Sequence, residues 1–315
     1  MKAIMIAAVL ILCALNGLAW GPDGHMIVAA LAWSKLTPEA RQEAARLLKE
    51  NPYYDRWTQD VDDADKDEMA FITAATWPDE IKGDSNYDNS EGDHPKKGAQ
   101  SGQNIGYDDK LQHRYWHYYD TPFSPDHTKT KQPDKVNALT QIKLLSVALK
   151  TSSDDSIRSY DLVWLLHMVG DVHQPLHATS RFDKQDPKGD AGGNLVNTCS
   201  AAQVSAGKNC RSELHGFWDG TPGSSKEPET VKKQAAKLPE ATASEASVQD
   251  AAKWIDESFE LAKSDVYKTP IGIGRGPFVL TVEYRANARE IARKRLALAG
   301  ARLAILLNDS LKKTP

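Results

Sequence analysis

Two histidine–aspartate pairs in this chain share a spacing of four residues. His167 and Asp171 lie in the run HMVGDVHQPLH, and His215 and Asp219 lie in the run LHGFWDG. In a helix, each pair would stand one turn apart on the same face, with the imidazole and the carboxylate aimed at one point. Zinc takes imidazole nitrogen and carboxylate oxygen in a small tetrahedral shell, so both pairs are candidate zinc ligands.

A third histidine follows the first pair closely. Pro175 cannot continue the helix that is predicted for residues 154–172, so His177 is expected just beyond its end, facing the same cavity from another direction. Any single His-x-x-x-Asp pair is a weak signal, because most such pairs are surface hydrogen bonds. A buried Asp171 would be a charge in need of a partner, however, and a metal ion supplies that partner.

The elements that must position these residues are predicted to be helices. Apolar residues recur at helical spacing along much of the chain, strand signals are scarce, and no internal repeat occurs. The predicted helices cover residues 24–35, 37–50, 65–77, 133–150, 154–172, 228–238, 248–264 and 282–308. Thr37 before Pro38 is typical of an N-cap with proline at the first helical position. The sequence therefore predicts a single compact all-α domain with long loops.

Two stretches interrupt the helical pattern. Residues 83–110 are rich in Gly, Asp, Asn and Ser and carry almost no large apolar residues, which predicts a long exposed loop inserted into the domain. Residues 181–211 are also predicted to be a loop. Cys199 and Cys210 lie within this second stretch, and in an exported protein they are expected to form a disulfide that closes it.

The first nineteen residues have the pattern of a secretory signal peptide. A basic residue precedes an unbroken apolar run over residues 3–15, and small residues lead up to Ala19. The run is too short for a permanent membrane span and no other run is long enough, so no stable membrane association is expected. Cleavage after Ala19 would make Trp20 the first residue of a secreted or periplasmic protein that covers residues 20–315.

The overall charge argues against one mode of binding. The chain has 39 basic and 43 acidic residues and a formal net charge of -4, so no overall basic field exists to hold long nucleic acid. Any polyanion must therefore be held locally, by bound metal rather than by clusters of lysine.

The sequence resembles the S1/P1 nuclease family of secreted, zinc-dependent nucleases across most of residues 20–315. The motifs that carry this resemblance are Trp20-Gly21, His25, Trp77-Pro78-Asp79, Trp116-His117-Tyr118-Tyr119-Asp120, the run from 167 to 177, Gly192-Gly193-Asn194, and His215 to Asp219. The resemblance implies an all-α fold of the phospholipase C/P1 nuclease type, with three zinc ions at the bottom of a cleft.

The resemblance also implies a ligand set. It gives one zinc ion to Asp79, His117, His167 and Asp171, a second to His177, His215 and Asp219, and a third to His25, Asp171 and the α-amino nitrogen and carbonyl oxygen of Trp20. A free α-amino group titrates near neutrality and can bind zinc at modest cost, so signal-peptide cleavage would be part of building the site. The stretch before His117 is longer than is usual in the family, which leaves His94 and His113 as competing candidates.

The reaction and the substrate contacts follow from the same resemblance. Lys82 matches a phosphate clamp, Tyr118 an aromatic on which a base stacks, and Asp120 and Asn194 polar groups that read the base edge. Catalysis is assigned to Asp171 and Lys82, with a water activated between metal ions. A stacked base must be unpaired, so single-stranded DNA and RNA are the expected substrates, cut to 5′-phosphorylated products. Nucleoside 3′-monophosphates are a further candidate substrate.

Two alternative functions stay open at this point. A zinc-dependent phospholipase C resembles this family in fold, N-terminal tryptophan and three-zinc arrangement, but its last ligand pair usually ends in glutamate, whereas here it ends in Asp219. A non-catalytic exported zinc-binding protein would be expected to carry histidine-rich tracts, and none occurs here. The sequence therefore favours a monomeric zinc-dependent nuclease.

Overall fold

A computed structural model describes residues 20–96 and 101–312 of the chain, and most of its regular structure is α-helix. The helices are α1 Pro22–Lys35, α2 Pro38–Leu48, α3 Tyr54–Thr58, α4 Lys66–Ala74, α5 Trp77–Glu80, α6 Ala138–Thr151, α7 Asp155–Asp171, α8 Ala201–Ser205, α9 Leu214–Asp219, α10 Pro228–Ala235, α11 Ala243–Ala246, α12 Ala251–Leu261 and α13 Val282–Ser310. The predicted all-α class is confirmed. The signal peptide predicted for residues 1–19 lies outside the described residues.

Short turns of helix and strand connect these elements. Single 3₁₀ turns occupy Ile81–Gly83, Gly106–Asp108, Arg114–Trp116 and Pro175–Ala178, and a π turn at Ala262–Val266 extends α12. The strands are β1 Thr121–Phe123, β2 Thr179–Arg181, β3 Asn197–Ser200, β4 Ser212–Glu213 and β5 Phe278–Leu280. In the larger sheet, β3 lies between β4 and β5, antiparallel to β4 and parallel to β5.

The parallel pair β1–β2 brings two distant segments of the chain side by side. Thr121 is paired with Thr179 in its register. His117 comes shortly before β1 and His177 shortly before β2, and the Tyr119 amide donates to the His177 carbonyl at 2.8 Å. The pairing therefore holds the two histidine-bearing segments next to each other.

Helix α7 runs through the centre of the fold. Its N-cap Asp154 accepts hydrogen bonds from the amides of the first turn, and Pro175 follows just beyond its end. Every residue from Ser159 to Asp171 is buried, because α1, α2, α6 and α13 pack around the helix. A helix that is buried on all sides keeps the polar residues it carries away from bulk water.

Helix α1 carries His25, one of the predicted metal ligands. It starts with Pro22 at its first position and packs along α13 and against α7. The close approach to α13 depends on Gly300, where an added Cβ would lie 2.8 Å from the Leu31 Cβ. This packing holds His25 of α1 against α7.

The structure differs from the expected exposed loop over residues 83–110. Within its described part, Ser101, Gly106 and Asp109 are buried. Tyr107 packs edge-on against Trp77, at 5.9 Å between ring centroids, so the segment is fastened to the core by an aromatic side chain.

The second predicted loop, residues 181–211, also contains regular structure, because β3 and α8 lie within it. The predicted disulfide between Cys199 and Cys210 is present and joins β3 to the segment before β4.

Candidate metal centre

Three groups of side chains offer ligand atoms that lie within 4.8 Å of one another. The groups are His25, Asp79 and His167; His117, His167 and Asp171; and His177, His215 and Asp219. They contain every side chain that the sequence assigned to zinc. Each of these side chains is at most 9% exposed, so the cluster is shielded from water.

Asp171, at the end of α7, is the carboxylate around which the first two groups are arranged. Its Oδ1 lies 3.3 Å from His25 Nε2, and its Oδ2 lies 3.0 Å from His117 Nδ1 and 3.3 Å from His167 Nε2. Burial opposes ionisation, yet the surrounding imidazoles, that of His167 foremost, hold the pKa of Asp171 well below its ordinary value. The carboxylate is therefore charged and is shared by several imidazoles.

Backbone carbonyls fix which nitrogen carries the proton in three of the histidines. At 2.7 Å in each case, Nδ1 donates from His167 to the Ala75 carbonyl, from His177 to the His117 carbonyl and from His215 to the Gly192 carbonyl. A carbonyl oxygen can only accept, so Nε2 presents a lone pair to the centre wherever the ring is neutral. Burial favours the neutral ring in His177 and His215. Burial opposes the charged form of His167 as well, but Asp171 and Asp79 raise its pKa.

Two of these lone pairs face each other. His177 Nε2 and His215 Nε2 lie 3.0 Å apart, and neither carries the hydrogen that a bond between them needs. Neither ring takes up a second proton at neutral pH, because burial lowers the pKa of His215 to about 3 and also lowers that of His177. A metal cation held by His177 and His215 would satisfy both nitrogens.

Other polar atoms of the centre are buried without a hydrogen-bond partner among the described residues. They are both ring nitrogens of His25, Nε2 of His117, Oδ2 of Asp79, Oδ1 of Asp171 and Oδ2 of Asp219. An unpaired buried polar group costs about 1–3 kcal/mol, and these six atoms share one small volume. Neutral imidazoles and carboxylates are the ligands that zinc prefers, so the residues present fit a multinuclear zinc centre.

The carboxylates depend on nearby cations to different degrees. Burial opposes ionisation of Asp79, but Lys82, whose Nζ lies 2.6 Å from Asp79 Oδ1, keeps its pKa well below the ordinary value. No lysine or arginine of the described residues pairs with Asp219, and burial raises its pKa well above the ordinary value. A bound metal ion would reverse that shift, because a divalent cation favours the carboxylate form.

Trp20 lies next to the candidate metal ligands. Its side chain is fully buried, and the amide of the next residue, Gly21, donates to the Asp219 carbonyl at 2.9 Å. On α7, an added Cβ at Gly170 would lie 2.9 Å from His25 Nδ1 and 3.8 Å from Trp20 Cδ1. Trp20 therefore lies beside two of the three groups, next to His25 and to Asp219.

A cleft of about 520 Å³ opens onto the centre. Its wall contains His117, His177 and His215 together with Lys82, Tyr118, Asp120 and Asn194, the four residues that the sequence assigned to substrate. A larger groove of about 810 Å³ lies between α6, α12 and α13, but it contains none of the predicted site residues. A third cavity, of about 580 Å³, contains Asp219 but none of the other predicted metal ligands and none of the four residues assigned to substrate. We therefore take the cleft of 520 Å³ as the candidate substrate site.

Comparison with known proteins identifies the family. The family model described as S1/P1 Nuclease matches residues 20–312. The chain belongs to the S1/P1 nuclease family. The family is zinc-dependent, and the predicted resemblance is confirmed.

One solved structure similar to this chain is the crystal structure of alpha-toxin from an avian strain of Clostridium perfringens. The two chains are 12% identical, the match covers 94% of this chain and 65% of the toxin chain, and the TM-score is 0.36. This chain thus spans about 65% of the length of the toxin chain. No curated protein matches it. Among residues 20–96 and 101–312, no helix combines the length and the apolarity that crossing a bilayer requires.

The two histidines that competed with His117 lie outside the three groups of ligand atoms. His113 stacks on Trp116 and uses both ring nitrogens, one with Asp109 at 2.7 Å and one with the Tyr115 hydroxyl at 2.9 Å. The ring of His94 is largely exposed and pairs with Asp134 at 2.7 Å. Neither belongs to the three groups of ligand atoms, so the geometry favours His117.

Gln174 supports the centre and was missed by sequence reasoning. Its side-chain amide donates to Asp219 Oδ1 at 2.8 Å, and its side-chain carbonyl accepts from the Leu176 amide. The side chain therefore holds the Asp219 carboxylate and caps the 3₁₀ turn that carries His177. Its position inside the run from 167 to 177 was the only signal available.

Proposed function

We propose that this chain is an exported nuclease that binds three zinc ions and hydrolyses single-stranded DNA and RNA to 5′-phosphorylated products. Nucleoside 3′-monophosphates are further substrates in this proposal. The observation that carries it is the pair of proton-free nitrogens of His177 and His215, 3.0 Å apart, in the wall of a cleft that also holds Lys82 and Tyr118. Metal-binding atoms beside a cleft with a cation and an aromatic ring support metal-assisted hydrolysis of a polynucleotide.

The proposed distribution of ions is the one that the family resemblance implies, and its second set coincides with the group of His177, His215 and Asp219. One ion is assigned to Asp79, His117, His167 and Asp171, a second to His177, His215 and Asp219, and a third to His25, Asp171 and the backbone of Trp20. When bound, zinc supplies Lewis-acid activation of the phosphate and lowers the pKa of water. Asp171 acts as the carboxylate shared between two of the sites.

Lys82 is the residue that we assign to the scissile phosphate. Its ammonium group has three N–H donors, and one of them is directed at Asp79 Oδ1 at 2.6 Å. The remaining donors are free to bind phosphate oxygens, since Lys82 also lines the cleft. The same side chain thus neutralises a ligand carboxylate and adds positive charge where the substrate binds.

Tyr118, Asp120 and Asn194 form the proposed base-binding part of the cleft. The Tyr118 hydroxyl donates to the Asp93 carbonyl, which anchors the ring in the cleft wall. Burial raises the pKa of Asp120 to about 7, so near neutral pH its carboxyl group can donate to a base edge as well as accept from it. A base reaches such a ring only when it is unpaired, which supports the preference for single strands.

The test uses the protein that begins at Trp20. We expect three zinc ions per chain by elemental analysis, and faster cleavage of a single-stranded oligonucleotide than of its duplex. The preference should be on the order of tenfold or more, because stacking contributes about 1–3 kcal/mol per base. His177→Ala should lose zinc and activity, whereas His127→Ala, which changes an exposed histidine, should keep both. Absence of stoichiometric zinc, or cleavage of phosphatidylcholine without cleavage of nucleic acid, would overturn the proposal.

A further inference from the structure

Arg114 lines the same cleft as Lys82 and has no role in the function proposed above. It lies in the 3₁₀ turn Arg114–Trp116, immediately before His117, and its side chain is partly buried. Asp93, Asp120 and Glu213 line the cleft too, yet no carboxylate of a described residue lies within 4.0 Å of its guanidinium nitrogens.

The lysines of the cleft differ from Arg114. Lys82 pairs with a carboxylate at 2.6 Å. Lys188 has no such partner among the described residues, but it is exposed and water can solvate its charge. Arg114 is therefore the partly buried cation of this cleft that lacks a counter-charge, and its desolvation favours binding of an anion.

Gln112 fixes the position of Arg114 relative to Lys82. The Gln112 side-chain carbonyl accepts from Arg114 Nε at 3.1 Å, and its amide donates to the backbone carbonyl of Lys82 at 3.2 Å. Gln112 is buried, so solvent competes little for this bridge. One glutamine thus holds both cations on the same part of the cleft wall.

The bridge through Gln112 does not involve the two terminal guanidinium nitrogens of Arg114. Among the described residues only Nε has a hydrogen-bond partner, and the two terminal nitrogens form the planar fork that matches two oxygens of a phosphate. We propose that Arg114 binds a phosphate adjacent to the scissile one, so that the cleft holds two consecutive phosphates of a polynucleotide. This inference rests on the proposed function, and it makes oligonucleotides better substrates than molecules with one phosphate.

The experiment compares two substrates in the zinc-loaded enzyme. One is a short single-stranded oligodeoxynucleotide, and the other is bis(4-nitrophenyl) phosphate, which has a single phosphate. For Arg114→Gln, we expect the ratio of kcat/KM for the oligonucleotide to that for the single-phosphate substrate to fall about tenfold, mainly through KM, because one charge-assisted hydrogen-bonded contact is lost. The slope of log(kcat/KM) against log(salt) for the oligonucleotide should become shallower by about 0.7.

Two further variants separate the positive charge of Arg114 from the planar geometry of its guanidinium group, and a local effect from a change in the overall charge of the protein. Arg114→Lys keeps the charge but not the fork and should restore part of the ratio. Arg289→Gln removes the same charge from an exposed position of α13 and should leave the ratio at its wild-type value. Equal losses on both substrates, or a loss of zinc from Arg114→Gln, would show that Arg114 only supports His117, and an unchanged ratio would also overturn the proposal.

A different result is expected if the chain is not a nuclease. If the wild-type protein cleaves neither substrate, the proposed nuclease chemistry fails as a whole. Equilibrium binding of the same oligonucleotide to wild type and to Arg114→Gln then tests the phosphate site directly. Wild-type binding about tenfold tighter than that of the variant supports the site, and equal binding rejects it.

Discussion

At the scale of single residues, the centre depends on glycine as much as on histidine. The carbonyl that fixes the His215 ring belongs to Gly192, whose φ of +59° is in the left-handed region. An added Cβ at this position would lie 2.5 Å from the Leu176 carbonyl and 3.3 Å from His215 Nδ1. A side chain at Gly192 would therefore displace the carbonyl that orients His215.

Gly192→Ala should weaken zinc binding by the group of His177, His215 and Asp219. Loss of the partner that orients a ligand histidine typically costs about 10–100-fold in metal affinity, and we expect a loss in that range. Competition with a zinc chelator measures it.

Gly207→Ala is the matched control for this prediction. Gly207 has a φ of +63°, but nothing described lies within 4 Å of a Cβ added there, so alanine brings the same backbone strain without a clash. Its destabilisation should be about 1–2 kcal/mol with zinc affinity unchanged. Equal zinc affinity of Gly192→Ala and Gly207→Ala would contradict the role given to Gly192.

At the scale of elements, the sequence predicts the helices well where local signals end them. The helix expected over residues 154–172 is observed as Asp155–Asp171, because Asp154 caps its start and Pro175 follows its end. The pairing of β1 with β2 could not be predicted, since strands of three residues have no measurable periodicity. The same holds for the bridge from Arg114 through Gln112 to Lys82, which depends on tertiary packing rather than on local sequence.

Helix α7 also carries a buried acid outside the metal centre. Asp161 is fully buried, neither carboxyl oxygen has a hydrogen-bond partner among the described residues, and burial raises its pKa from 3.8 to about 8. Between these two pH values the folded state binds a proton that the unfolded state releases. The contribution of Asp161 to stability therefore falls as the pH rises through this window.

Asp161→Asn cannot ionise and should remove this dependence. Relative to wild type, its free energy of unfolding should rise between about pH 5 and about pH 8, by up to about 1.4 kcal/mol per pH unit. Urea unfolding of both proteins at equal zinc concentration measures the difference. Asp256→Asn, at an exposed position of α12, should show no such trend. A difference between Asp161→Asn and wild type that stays constant with pH would exclude a raised pKa at Asp161.

At the scale of the whole molecule, zinc bound to the buried ligand atoms would stabilise the fold. The folded chain gathers these atoms in one place and the unfolded chain does not, so zinc would bind the folded state more tightly. Zinc at 100 times its Kd would contribute about 2.7 kcal/mol per site. The proposed zinc sites would thus link the stability of the protein to its proposed activity.

Removal of zinc should lower the melting temperature. We expect the melting temperature to fall by about 5–10 °C for each site emptied, relative to protein in zinc at 100 times its Kd. Added zinc should restore the melting temperature. Magnesium should not, because it prefers oxygen ligands. Differential scanning calorimetry with EDTA measures the fall, and EDTA already saturated with zinc is the control. A melting temperature that does not respond to EDTA, in protein shown to have lost its zinc, would mean that the centre does not stabilise the fold.

The proposed cleavage after Ala19 would create the Trp20 amine that the third proposed zinc site uses. Trp20 is fully buried beside His25, and the Gly21 amide is bonded to the Asp219 carbonyl, so the backbone at Trp20 adjoins the ligand atoms. One extra methionine before Trp20 would turn its amine into an amide, which has no lone pair to offer a metal at neutral pH. Elemental analysis should then find two zinc ions per chain instead of three, with lower nuclease activity, whereas one residue added after Pro315 should change neither. Equal zinc content with and without the extra methionine would mean that the amine is not a ligand, and signal-peptide cleavage would then be unnecessary for assembling the metal centre.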